Sequence, residues 1–336
     1  PAVETIQLPP LKAGSRSFRE LLTSDGMPAD DTFKTRRRDL LLEVFADSAP
    51  DVLLIEAFPF DRPQMHFELL PLLAAAKTQA RVPLVISSIR DILQLKPDPQ
   101  RDHDALALLT AHFDHVLVHG DPNLAHLDET FRHAAAIAHM TSYTGIVAPL
   151  PASDVAPEET FDVVVSTGGG ATDGHRTLAA AMRAKRHSSL AEGRWLALTG
   201  PFIDSGEHAP LIEIARESEI TVRPFQPGLA TLLANARVSI SQAGYNTVAD
   251  VLRAGCAAVL CPYDGIRQNE QTRRAERLAE RGWARCVSAA ELAPEAIARA
   301  IDASLDQPRP PTPIDLDGAR GTATAIRRLV SARQEL

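Results

Sequence analysis

The chain has 336 residues, with 35 Lys and Arg against 43 Asp and Glu and a formal net charge of −8. Apolar residues at 45% are enough for packed cores, and the length suits two domains of ordinary size. The negative balance speaks against a nucleic-acid binder, no apolar run approaches the roughly 20 residues of a membrane-spanning helix, and three cysteines in so long a chain do not make a disulfide scaffold.

In chain order, Ala2–Leu8 is a short strand-like run stopped by Pro9-Pro10. Strands are then predicted at 51–57, 82–89, 115–119, 141–147, 161–166, 194–199, 220–223, 238–241 and 257–261. Helices are predicted at 31–46, 64–79, 104–113, 174–185, 228–235, 247–254, 269–281 and 294–304, with a last one at 319–333. Several strands are almost continuously apolar, as when both faces of a parallel sheet are covered. Alternation on this scale predicts an α/β protein with doubly wound sheets. Ala148–Pro157 holds three prolines in ten residues, a stiff connector that puts a boundary near residue 152. The domains expected are 1–152, 153–318, and a terminal helix within 319–336 that crosses back to the first.

Chemistry concentrates in three loops, each after a strand of the second half. Ser166-Thr167-Gly168-Gly169-Gly170 lets backbone N–H groups approach an anion near a helix start, unless it is a plain tight turn. Gln242-Ala243-Gly244-Tyr245-Asn246-Thr247 leads into a helix carrying Asp250, which could accept ribose hydroxyls or close a capping box with Thr247. Glu270-Gln271 opens the next helix, where it could bind a polyol or merely complement the helix dipole. Three such loops at the C-terminal ends of strands in one half are where open α/β sheets bind ligands. None of the three carries an Asp-x-Asp metal signature, so no metal and no separate cofactor is expected there.

The run Gln242–Asp250, then Pro262, then Glu270-Gln271-Thr272-Arg273-Arg274-Ala275 resembles the donor half of GT-B glycosyltransferases. The group is that of the N-acetylglucosaminyltransferase that makes lipid II and of the UDP-sugar transferases. Gln242 stands where many relatives have His, and Arg274 where Asn is usual. Arg223-Pro224-Phe225-Gln226 resembles the segment that meets the nucleotide base. The resemblance implies two Rossmann-like domains, with a nucleotide-sugar, UDP-linked, as co-substrate. Thr167, Gly168, Gly169, Gly170, Gln242, Gly244, Asn246 and Thr247 would face the diphosphate. Asp250 would hold the ribose, Phe225 and Gln226 the base, and Glu270 and Gln271 the sugar.

In the first half, Leu54–Phe60, Ser88–Leu93 and Val118–Pro122 resemble the branch called predicted glycosyltransferases. Asp91, His119 and Glu56 are candidates for the base, and Arg90 and Asp121 for acceptor contacts. Alternatively, Arg90 and Asp91 form a local ion pair and His119 is a satisfied strand-end histidine. Relatives begin with a Gly-rich, His-containing loop that this sequence does not show, so the first domain is expected to lack its first strands, leaving an exposed groove or a mispaired sheet. The function implied is inverting, metal-independent sugar transfer to an acceptor hydroxyl on a glycan, a lipid or a small molecule. A hydrolase, a 2-epimerase or a non-catalytic nucleotide-sugar binder stays open. The reduced thiols point to the cytoplasm. Arg36-Arg37-Arg38 leaves open a peripheral contact with the inner face of the membrane.

Overall fold

The computed structural model describes residues 3–14, 20–150, 159–168, 174–201, 203, 205–263, 265, 269–308, 310 and 313–335. The expected boundary near residue 152 lies outside these residues. The elements run β1 (Leu11–Ala13), β2 (Leu21–Thr23), α1 (Asp31–Ser48), β3 (Val52–Glu56), α2 (His66–Thr78), β4 (Leu84–Arg90), α3 (Gln100–His112), β5 (His115–His119) and β6 (Thr141–Tyr143). The second half continues with β7 (Val163–Ser166), α4 (Gly174–Ala184), β8 (Trp195–Leu198), α5 (Ser205–Glu217), β9 (Thr221–Arg223), α6 (Leu229–Ala234) and β10 (Val238–Ser241). It ends with α7 (Tyr245–Ala254), β11 (Ala257–Leu260), α8 (Glu270–Glu280), β12 (Arg285–Cys286), α9 (Pro294–Leu305) and α10 (Gly318–Gln334). Residues 3–8 form no strand; the first two strands pair with each other as a small antiparallel hairpin.

The first large sheet is parallel in the order β3-β4-β5-β6, each strand beside its sequence neighbour. No strand is mispaired, and β3 is an edge on which Leu54 is 42% exposed. One face packs Ile55, Val85, Val116 and Val118 under α2 and α3; the other packs Leu84, Ile86 and Leu117 under Ala325, Ile326, Leu329 and Val330 of α10. The C-terminal helix therefore lies on the sheet of the first half.

The second sheet is parallel in the order β12-β11-β10-β7-β8-β9. The chain winds outward from β7 through β8 to β9, then returns to the other side of β7 at β10, so strand order reverses between β7 and β10. Alternate residues of β7 point to opposite faces, as strand geometry requires. Val163 and Val165 join Trp195, Ile240 and the helices α4, α5 and α9, while Val164 joins Leu196, Leu260 and the helices α6, α7 and α8. Strands buried on both faces explain the unbroken apolar runs read in the sequence.

Candidate active site

The reversal between β7 and β10 sets two strand ends side by side, with Ser166 and Ser241 directly opposed in register. The Ser166, Thr167 and Ser241 hydroxyls are buried and have no hydrogen-bond partner among the described residues. An unmade buried hydrogen bond costs about 1–3 kcal/mol, so a group of them marks a place where a polar ligand would complete the bonding. The approach to α4 is equally close: a Cβ on Gly174 would stand 2.7 Å from Thr167 Oγ1, which only glycine avoids. Gly168 turns the chain with φ of 68°; Gly169 and Gly170 lie outside the described residues.

The second strand end opens directly into α7. Gly244 is its N-cap in extended conformation, and the first intrahelical bond runs from Val248 N–H to Gly244 O. The N–H groups of Tyr245, Asn246 and Thr247 thus have no intrahelical acceptor, and with the helix dipole they favour an anion. The helix starts two residues earlier than the sequence reading had it. Thr247 is therefore inside the first turn, and the capping box with Asp250 is not formed. Asp250 is half-buried, and burial raises its carboxyl above the ordinary value. Gln242 is buried, and Asn246 is exposed toward the cleft.

Phe225 is 67% exposed just beyond β9, and the Gln226 carboxamide oxygen accepts from Arg223 Nη1 at 2.7 Å. Glu270, the first residue of α8, has one carboxylate oxygen buried without a partner among the described residues. Gln271 is tied inward, accepting the Tyr263 N–H at 3.2 Å.

Asn246, Tyr245 and Glu270 form one wall of a cavity of about 640 Å³; the other wall comes from the first half, including Glu56, Arg62, Ser88, Arg90, Lys96 and His119. Glu56 sits between Arg90 at 3.6 Å and Arg62 at 3.9 Å, all half-exposed. His119 places Nε2 2.7 Å from Ser88 Oγ and Nδ1 2.8 Å from Thr144 Oγ1. Burial lowers its imidazole below the ordinary value, with Glu56 opposing. Lys96 is buried against the Phe60 carbonyl, and burial lowers its pKa as well.

Two first-half candidates are engaged elsewhere. Asp91 is 2% exposed and takes a bidentate bond from Arg274 of α8, Nε to Oδ2 at 2.9 Å and Nη2 to Oδ1 at 2.8 Å. Its partner is not Arg90, and a carboxylate so held is no free base. Asp121 is also buried and accepts the N–H groups of Asn123 and Asp315, fastening the approach to α10. In the basic run, Arg37 is paired with the buried Glu68 at 2.7 Å and Arg38 with Asp39 at 2.7 Å, while Arg36 is exposed.

Sequence reasoning did not single out Tyr245, Ser88, Lys96 or the bare hydroxyls of Ser166 and Ser241. The phenol of Tyr245 donates to His119 O at 2.9 Å and accepts the Val147 N–H at 2.8 Å, joining the two halves at the cavity. Burial pushes it up to about 12. Its motif position was visible, but its reach to residue 119 was not.

Among the described residues no group of three His, Cys, Asp or Glu could hold a metal ion, and no helix is long and apolar enough to cross a membrane. Asp-x-Asp spacings do occur away from the donor loops. Asp102 is bonded to Arg132, Asp104 to Gln100, Asp315 to the Asp317 N–H, and Asp317 to Arg253.

Residues 164–314 match the Glycosyltransferase family 28 C-terminal domain. The UDP-N-acetylglucosamine–N-acetylmuramyl-(pentapeptide) pyrophosphoryl-undecaprenol N-acetylglucosamine transferase of Rhodospirillum centenum is 34% identical over 115 residues, covering 34% of this chain and 30% of that protein. The enzyme of the same name from Thermotoga neapolitana is 30% identical over 86 residues, 26% of this chain and 25% of that one. The alignments thus span less than a third of these curated relatives.

Among solved structures, MurG of Acinetobacter baumannii superposes with a TM-score of 0.53 at 15% identity, over 92% of this chain and 81% of that one. The spinosyn rhamnosyltransferase SpnG complexed with thymidine diphosphate gives 0.54 at 16%, over 90% and 75%. The shared fold is GT-B, two Rossmann-like units facing across a cleft.

Proposed function

We propose, for a chain whose residues 164–314 match a glycosyltransferase family 28 C-terminal domain on a GT-B frame, a glycosyltransferase that moves a sugar from a nucleotide-sugar, UDP-linked, to an acceptor hydroxyl with inversion. One observation carries this reading: the buried hydroxyls of Ser166, Thr167 and Ser241, which have no partner among the described residues, beside the start of α7, at the reversal of strand order.

In this reading the diphosphate lies against those hydroxyls and the free N–H groups of residues 245–247. The charge that develops on the leaving diphosphate is met by these fixed dipoles, without a metal ion. Asp250 takes the ribose, Phe225 stacks near the base, and Glu270 holds the sugar. The acceptor enters from the first-half wall of the cavity. The reaction belongs in the reducing cytoplasm, at the inner membrane face where the acceptor is a lipid.

Calorimetric titration with UDP, GDP, ADP and TDP tests the donor site. We expect UDP to bind, and Asp250→Ala and Ser241→Val each to weaken it at least tenfold. A folded chain that binds no nucleotide sinks the reading. Release of free sugar or of an isomerised donor, with no acceptor modified in any fraction, would turn it toward a hydrolase or an epimerase.

A further inference from the structure

We propose, building on the transfer reading above, that Ser88 and His119 form the proton relay that receives the acceptor's hydroxyl proton. The other carboxylates of the cavity are poorly placed for that task. Glu56 is shared between Arg90 and Arg62, Asp61 is drawn to the Lys96 ammonium, Glu270 stands on the donor side, and Asp91, outside the lining, is locked on Arg274.

The relay needs one tautomer of the His119 ring, with its hydrogen on Nδ1. In that tautomer the Thr144 hydroxyl turns its proton toward the Val118 or the Gly145 carbonyl, each 3.4 Å away. Its oxygen then accepts the hydrogen of His119 Nδ1, 2.8 Å away. Thr322 of α10 lies 3.3 Å from the same nitrogen. Nε2 is bare in the same tautomer, and the Ser88 O–H, 2.7 Å away, is the donor to it. Burial keeps the ring neutral near pH 7, which leaves it able to take a proton.

Location completes the argument. Ser88 and His119 lie on neighbouring strands β4 and β5, and both line the cavity that Asn246 and Glu270 close from the donor half. The carbonyl of His119 is bonded to Tyr245, the first residue of α7, so the relay is tied to the helix end proposed to face the diphosphate.

As the acceptor oxygen attacks the anomeric carbon, its proton passes to Ser88 Oγ, and the former Ser88 proton passes to His119 Nε2. The bond from the anomeric carbon to the diphosphate oxygen breaks, and its electron pair leaves with the diphosphate. His119 ends as imidazolium and returns its proton to water. Ser88 touches the acceptor, and His119 acts through it.

The test uses the full chain and two readouts. Nitrogen-15 NMR of the histidine rings, assigned with His119→Asn, should show His119 neutral and protonated at Nδ1, and Ser88→Ala should move the Nε2 resonance. UDP release from UDP-N-acetylglucosamine, with water as the probe acceptor, should fall 10²- to 10⁴-fold in Ser88→Ala and in His119→Asn, and no further in the double variant. UDP affinity should stay within twofold throughout.

The acid limb of the rate profile should vanish with His119. Around that ring stand Glu56 from β3, Ser88 and Arg90 from β4, Thr144 beyond β6 and Thr322 from α10, while Tyr245 from α7 is bonded to the His119 carbonyl. A hydrogen found on Nε2, or a His119→Asn rate within threefold of the parent, overturns the relay alone. A chain that binds no UDP overturns the transfer reading beneath it.

Discussion

Arg274 is 1% exposed, and its guanidinium spends four of its contacts on buried acceptors: both oxygens of Asp91, the carbonyl of Ala243, and the face of the Tyr245 ring. Burial works against its charge, and the Asp91 carboxylate more than offsets that, so its pKa lies above the ordinary value. A buried ion pair contributes little net stability, but a half-broken one leaves a bare charge in the interior. Asp91→Ala should therefore cost about 3–5 kcal/mol in urea unfolding, and Arg274→Met a similar amount. The double variant Asp91→Leu with Arg274→Met should be less destabilised than either single change. Additive losses would mean the two groups do not act as a pair. Both residues stood out in the sequence, Asp91 as a candidate base and Arg274 as a departure from Asn. Their union did not, because 183 residues separate them and nothing in either local pattern announces the other.

At the scale of elements, α8 is the part that turns two halves into one cleft. Arg274, Arg277 and Arg281 recur at three- and four-residue spacing on one face. They reach Asp91, the Glu129 carboxylate at 2.6 Å and the Asn123 carbonyl at 2.6 Å, all in the first half. The same helix begins with Glu270 at the cavity, so whatever seats α8 also seats its proposed sugar contact.

The opposite crossing is made by α10, and here glycine is required by contact rather than by backbone angle. A Cβ on Gly321 would collide with the Thr144 carbonyl oxygen, and one on Gly318 with the backbone of residues 145–147. In an exposed helix, Gly→Ala stabilises by up to about 1 kcal/mol. At Gly321 the sign should reverse, to a loss of about 1–3 kcal/mol from overpacking. Denaturation of Gly321→Ala decides it; a gain in stability would mean α10 does not dock so closely.

Elements with strong periodicity or unbroken apolar runs were legible, β5 and β10 to the residue. The helix α5 was not, because Pro210 and a polar first turn interrupt its pattern. The strand read over 141–147 stops at Tyr143, because residues 144–147 bond instead to β5, Asp315 and Tyr245. The run at residues 3–8 is apolar enough for a strand but pairs with no strand among the described residues.

Across the whole molecule, the donor half was the more legible because its site is local. Each loop follows its own strand, and the strands converge only because the sheet reverses between β7 and β10. The first-half wall is built from side chains that different strands bring together, and a linear motif does not report such neighbours. The same buried wall sets a pH response. Burial lowers the imidazole pKa of both His115 and His119; Arg328 adds to the effect at His115, and Glu56 opposes it at His119.

A histidine whose folded pKa is lowered binds its proton more readily in the unfolded chain. Stability is therefore full above the ordinary imidazole value of 6.5 and is lost as pH falls below it, toward the lower folded values. Each ring can contribute a slope of at most about 1.4 kcal/mol per pH unit over that window. Urea midpoints should be level from pH 8 to 7 and decline from about pH 6.5 to 5, well above the range where carboxylates protonate. His115 lies away from the proposed relay, its Nε2 2.9 Å from Ser142 Oγ, so His115→Gln isolates its share. That variant should keep UDP release unchanged and flatten the acid decline. A parent chain equally stable at pH 7 and pH 5 would show that the surroundings of β5 open to water and do not hold these rings neutral.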